Sequence, residues 1–177
     1  MITIVANYRT GSSTFYRSLG GVDHRDHGTE YLHNNICEYR PPSPEYSVYK
    51  VMADQFYYEK YYENFKEDYL RNSDEIYYTV RENICDQINS HIYAGKTSDW
   101  HPWQGVGTPN LSEEQHIVDA CKTMILNCLK WQAKIYKEWG GTLIWLEDRN
   151  DGKKYSRRID YTPPHINIDI DVKSMFL

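Results

Sequence analysis

The chain opens on Ile2-Thr3-Ile4-Val5-Ala6-Asn7-Tyr8-Arg9-Thr10-Gly11-Ser12-Ser13-Thr14-Phe15-Tyr16-Arg17-Ser18-Leu19-Gly20. A β-branched run breaks into a small, hydroxyl-rich turn, and an amphipathic helical pattern follows. That order of residues builds an anion cradle. Gly11 lets the backbone turn tightly, and the N–H groups at a helix start point at whatever sits there. Arg9 adds a permanent positive charge, and Ser12, Ser13 and Thr14 add donors. The expected guest is a phosphate-like group. The plainer reading is a strand-to-helix turn capped by Ser or Thr.

The cradle is not an ATP loop of the usual form, G-x-x-x-x-G-K-[ST], whose Lys reaches the β/γ-phosphates. No Gly lies five residues before Gly11, Ser12 stands where the Lys would be, and the basic residue precedes the Gly. At 177 residues, one domain with a sizeable core is expected. The formal net charge of −5 argues against general nucleic-acid or membrane-surface binding, while leaving room for a local basic site. No apolar run approaches a bilayer span and the start lacks a leader pattern, so a soluble cytoplasmic protein is expected. Cys37, Cys85, Cys121 and Cys128 form no C-x-x-C pair and read as buried thiols. The 17 tyrosines suit half-buried helix faces and stacking surfaces alike.

Residues 2–7 read as a buried strand and 12–20 as the first helix. A His- and Asp-rich turn (Asp23, His24, Arg25, Asp26, His27, Gly28) precedes a helix start at Thr29. Arg40-Pro41-Pro42-Ser43-Pro44 is a stiff loop, and 47–52 a second strand. The pattern predicts a helix over 54–70, where Tyr57, Tyr61, Phe65 and Tyr69 recur every four residues as a core-facing stripe. A third strand over 75–80 ends at Arg81, and a helix runs over about 82–93. Residues 95–110 read as a long surface loop carrying Trp100, His101, Pro102 and Trp103. Ser112, followed by Glu113 and Glu114, starts a long helix that Gly140-Gly141 stops near Trp139. A fourth strand over 142–146 ends in Glu147-Asp148. Residues 165–172 alternate apolar and polar and predict a late edge or partner-binding strand.

This alternation predicts an α/β domain with three layers, α/β/α, around a mostly parallel sheet of four to five strands. The whole of 1–177 is one domain, with its core in 1–148 and an extension over 149–177. Ligands in such folds sit at the carboxyl ends of the strands, so the Arg9–Ser13 turn, Arg81 and Glu147 are expected on one rim.

The order Arg9-Thr10-Gly11-Ser12-Ser13 resembles the 5′-phosphosulfate loop of sulfotransferases that use 3′-phosphoadenosine 5′-phosphosulfate (PAPS). Tyr77-Tyr78-Thr79-Val80-Arg81, then Asp86 and Ser90, resembles that family's second signature, a strand ending in Arg with a Ser on the next helix. Three further segments are similar to the bacterial trehalose-type branch: 27–32, 50–56 and 143–148. The resemblance implies a P-loop-NTPase-like fold and transfer of a sulfuryl group to a hydroxyl or amine of a small-molecule or carbohydrate acceptor. It implies PAPS as co-substrate, PAP (adenosine 3′,5′-bisphosphate) as product and no required metal. Thr10 to Thr14 would line the 5′ end with Arg9, and Arg81 with Ser90 would hold the 3′-phosphate. Ser90 lies nine residues after Arg81 where the family has eight. Either Asn83 or Ile84 is an extra residue in the turn, or Asn89 takes the place of the Ser. Arg81 also reads as a surface ion-pair partner of Glu82 or Asp86.

Sulfuryl transfer needs donors on the sulfuryl oxygens and on the departing bridging oxygen, a task that suits Arg9. Glu30 is the expected general base, with His27 and then Asp54 as alternatives. Glu30 also reads as an ordinary first-turn acid. His24, His27 and His33 match no zinc spacing. Lys153, Lys154, Arg157 and Arg158 read as a solvated loop. Two other classes remain open: a P-loop kinase, against which the missing Lys argues, and a non-catalytic binding or assembly module. The acceptor and a homodimer are left open.

Overall fold

The computed structural model describes residues 1–22, 39–57, 59–97, 114–149, 162–163 and 165–177. Four strands, β1 (Ile2–Ala6), β2 (Val48–Met52), β3 (Glu75–Val80) and β4 (Thr142–Trp145), form one sheet in the order β2-β1-β3-β4, parallel throughout. Ile4 stands opposite Lys50 on one side and Tyr77 on the other, and Tyr78 opposite Leu143. Burial explains the strand sequences. Thr3, Ile4, Val5 and Ala6 are all fully buried, which a central parallel strand requires because helices cover both faces.

The two faces separate by side-chain parity. Ile4, Ala6, Val48 and Met52 point to α1 (Ser12–Ser18) and pack on Tyr16. Val5, Tyr49, Val51 and Tyr78 point the other way, to Phe65, Tyr69, Cys128 and Ile135. Those partners come from the α2 region (Glu59–Phe65, continued by a wider turn over Lys66–Leu70) and from α4 (Glu114–Trp139). A third cluster joins Val80 to α3 (Ile84–Thr97), through Ile84, Ile88 and Ile92, and to α4 through Val118, Ile125 and Leu129. The result is three layers, α/β/α.

The chain leaves β1 for β2 on one side, then crosses back to β3 on the other. Reversing direction reverses the covered face when crossovers are right-handed. α1 accordingly lies on one face and α2, α3 and α4 on the other. The reversal makes β1 and β3 the topological switch point, and the crevice above their carboxyl ends is where such sheets take ligands.

Several sequence expectations need correction. The helix predicted over 54–70 is broken into a 3₁₀ turn over Ala53–Tyr57, α2, and the wider turn ending at Leu70. The buried Tyr62 and Tyr69 with the core ring of Phe65 still form the aromatic stripe, so periodicity found the face but not the breaks. α3 extends to Thr97, into the segment expected to be loop, because Ile92, Tyr93 and Ala94 continue its buried face. α1 ends at Ser18, two residues early. Gly140 and Gly141, both at positive φ, stop α4 where expected.

The late strand over 165–172 does not form. Its apolar residues do face inward: Ile166 and Val172 are buried, and Ile168 and Ile170 pack on the same cluster. Among the described residues the segment pairs with no strand, and it ends in a 3₁₀ turn over Lys173–Phe176. Side-chain burial alone produced the alternation, without a ladder. Among the described residues no helix is long and apolar enough to cross a membrane. Cys85, Cys121 and Cys128 carry no disulfide, and burial pushes the Cys121 thiol up to about 11.

Candidate functional site

The turn between β1 and α1 is held from beneath by buried polar side chains. The Asn7 amide donates to Ile125 O at 3.2 Å while its Oδ1 accepts from Tyr8 N at 2.7 Å. Gln87 of α3 donates to Tyr8 O at 2.6 Å. The buried Gln132 of α4 donates to Val5 O at 2.8 Å and Thr79 O at 3.0 Å, tying β1 to β3 at the switch point. Thr10, expected to face the ligand, instead turns its hydroxyl inward, to Asn7 O at 2.7 Å and Thr79 Oγ1 at 2.9 Å. Its side chain therefore holds the turn, and only its backbone is left to line a cradle.

Two residues of this turn have left-handed backbone, Arg9 at φ 58 and Gly11 at φ 69. A side chain at Gly11 would also press on its neighbours. A Cβ there would lie 3.0 Å from Leu146 Cδ1 and 3.1 Å from Arg149 Nη1. Arg9 has no such licence, and a non-glycine residue in this region costs on the order of 1–2 kcal/mol. The surrounding hydrogen bonds over-determine the turn and hold Arg9 there.

One cation, Arg9, belongs to this turn, and two more reach it from β2 and from the residues after β4. Arg9 donates Nε to Ser90 Oγ of α3 at 2.9 Å. Lys50, buried on β2, donates Nζ to Ser13 Oγ at 3.0 Å. Arg149, just after β4, donates Nη1 to Gly11 O at 3.0 Å and lays its guanidinium over the Phe15 ring at 5.5 Å. Composition gave no hint of such a concentration in a chain of net charge −5. Lys50 and Arg149 were missed as site residues. The available signal was an inward position on a buried strand for Lys50, where an unpaired ammonium is costly. Arg149 carried no signal, since only the end of β4 brings it over the turn.

Arg81 sits at the same rim, after β3, and is bracketed by carboxylates. Its Nη2 lies 3.6 Å from Asp86 Oδ2 and its Nε 3.8 Å from Glu147 Oε1. Burial lowers its pKa, and Asp86 and Glu147 pull the other way. Glu147 also accepts from the backbone N–H of Glu82, at 3.1 Å to each oxygen, and from Asn83 N at 3.3 Å. The residue before α3 is Asn83, whose Oδ1 accepts from Asp86 N at 3.0 Å and whose amide donates to Asp86 Oδ2 at 3.0 Å. This reciprocal pair caps the start of α3. The structure thus joins Ser90 to Arg9, not to Arg81. Asn89 leaves its buried Oδ1 without a hydrogen-bond partner among the described residues.

Behind Arg9 lies His91, buried, with its ring centroid 4.8 Å from that of Tyr8. Burial, and then the Arg9 charge, lower its pKa to about 4. The unfolded chain binds this proton near pH 6.5 and the native chain does not. Stability is therefore expected to fall as pH drops from about 6.5 to 4, by about 3 kcal/mol at the lower end. Urea unfolding at pH 7 and pH 4.5 checks this: His91→Gln should flatten the dependence, and an unchanged slope would exclude His91 as its source.

Ser12 is buried, Ser13 half-buried and Thr14 exposed on α1. Glu30 and His27 lie outside the described residues, as do Cys37, residues 98–113 with their tryptophans and the late basic residues. Among the described residues, no group of His, Cys, Asp or Glu gathers to hold a metal ion.

Fold and site together define a doubly wound α/β domain with a basic cradle at its switch point. No family model, curated protein or solved structure matches this chain.

Proposed function

We propose that the chain is a PAPS-dependent sulfotransferase acting on a hydroxyl or amine of a small-molecule or carbohydrate acceptor. One observation carries the proposal: the Arg9–Ser90 contact, which joins a residue of the first motif to a residue of the second. The residues present suit the group. PAPS, when bound, supplies a sulfuryl group linked through a bridging oxygen to the 5′-phosphate. Arg9, Lys50 and Arg149 offer three fixed cations around a turn that is already strained into shape. Fixed charges of this kind stabilise negative charge that grows on the bridging oxygen as its bond to sulfur breaks. Arg9 stays protonated throughout, so its role is electrostatic. The acceptor proton goes to a base, for which Glu30 is the first candidate and His27 the second. No metal is needed in this scheme.

The carboxylates around Arg81 favour a second reading, a nucleotide-fold binding module without transfer activity, because they compete with a second phosphate. A P-loop kinase is the third. Thermal-shift titration separates them. PAP at about a hundred times its Kd should stabilise the chain by about 2.7 kcal/mol, and ATP–Mg should not. Stabilisation by ATP–Mg alone would point to the kinase, and no response to either ligand to the binding module.

A further inference from the structure

The side chains near the carboxyl ends of the strands fall into two groups of opposite local charge. Arg9, Lys50 and Arg149 converge on the β1–α1 turn. In the other group Arg81 and Lys173 face Glu82, Asp86 and Glu147, with Lys173 Nζ 2.8 Å from Glu82 and Asp86 and Glu147 on either side of Arg81. Glu147 differs from the other two acids. Leu146 N donates to Val80 O at 3.0 Å, which carries the β3–β4 ladder one residue past the strand and delivers residue 147 to the rim. There both carboxylate oxygens are taken up, by two backbone N–H groups and the Arg81 guanidinium. Backbone donors beside an arginine are how proteins hold a phosphate. The side chain is about a third exposed (35%) and sits on a turn, so it can rotate out without breaking the sheet.

We propose that Glu147 is a specificity-determining residue that takes, from within the chain, the place on Arg81 of a ligand's second anionic group. The inference rests on the sulfotransferase reading for the identity of the ligand, a nucleotide with a 3′-phosphate. A ligand with only a 5′ anion fills the basic end and leaves Glu147 where it is. One with a 3′-phosphate displaces Glu147, the more distant of the two acids on Arg81, because a third anion crowds a guanidinium that Asp86 and Glu147 already bracket. Displacement costs affinity, and Glu147 therefore sets how strongly the crevice prefers the bisphosphate.

The test is a calorimetric titration of PAP and of adenosine 5′-monophosphate, which lacks the 3′-phosphate. Glu147→Gln keeps an oxygen acceptor for the Glu82 and Asn83 N–H groups while removing the charge, and an unchanged melting temperature would confirm that the turn survives. PAP affinity should rise about tenfold in Glu147→Gln, within the range typical of coupled sites. Adenosine 5′-monophosphate should change by less than about twofold, and in an Arg81→Gln background the substitution should leave PAP affinity within the same margin. Weaker PAP binding by Glu147→Gln, or equal shifts for both nucleotides, would overturn the proposal and leave Glu147 as a prop for the turn. If the parent binds neither nucleotide, the sulfotransferase reading itself fails and this inference goes with it.

Discussion

Arg9→Gly is expected to slow sulfuryl transfer by about a hundredfold to a thousandfold while leaving the fold about as stable as the parent. The two effects separate because Arg9 stores strain. At φ 58 the residue is in a region open to glycine at no steric cost, so the substitution relieves about 1–2 kcal/mol. It also removes the hydrogen bond to Ser90, worth about 1 kcal/mol. These offset. The charge is another matter. Removing one preorganised donor from a site of developing negative charge slows turnover by about a hundredfold to a thousandfold. The measurement is PAP released from PAPS in the presence of a panel of hydroxyl and amine acceptors, paired with a urea midpoint. Release within about tenfold of the parent would show that Arg9 does not meet the reacting group.

Lys50→Met should be the second large effect, also with function and stability moving apart. Lys50 is buried on the α1 face of β2, opposite Ile4, and reaches Ser13 at the start of α1. A buried ammonium has a high desolvation cost, which Met of similar length does not have. Replacing buried charge by apolar volume is often neutral or stabilising. The turn, however, loses a buried cation at the start of α1, and PAP affinity should fall by about tenfold to a hundredfold. Titration calorimetry against PAP reads the loss. Unchanged affinity would mean that Lys50 serves only to anchor α1 to the sheet.

The legible part of the fold was what local periodicity and turn chemistry control. All four strands, the α1 start and the Gly140-Gly141 stop follow from β-branched runs, hydroxyl clusters and glycine. What escaped was set by tertiary packing. The 54–70 pattern shows one aromatic face, but nothing local marks the 3₁₀ and wider turns that bring Phe56, Phe65 and Tyr69 onto the same face of the sheet. Residues 165–172 have strand periodicity because alternate side chains are buried against α3 and α4, not because a neighbour offers a ladder. At the site, Arg9 and Ser90 stand 81 positions apart yet meet, where the motif order had paired Ser90 with Arg81. Arg149 could not be found this way, since its place over Gly11 depends on the sheet order β2-β1-β3-β4. The inward turn of the Thr10 hydroxyl was likewise not legible. Its hydroxyl fits a cradle in composition, but the switch point needs a buried link between β1 and β3, and Thr10 with Thr79 provides it.

Calorimetric titration of the full chain with PAP, repeated on Arg9→Gly, tests most directly whether the basic cradle at the switch point holds this nucleotide. A single saturable site in the parent, weakened at least about tenfold by the substitution, is the expected result. Absence of PAP binding to the parent, or equal binding by both chains, would contradict it.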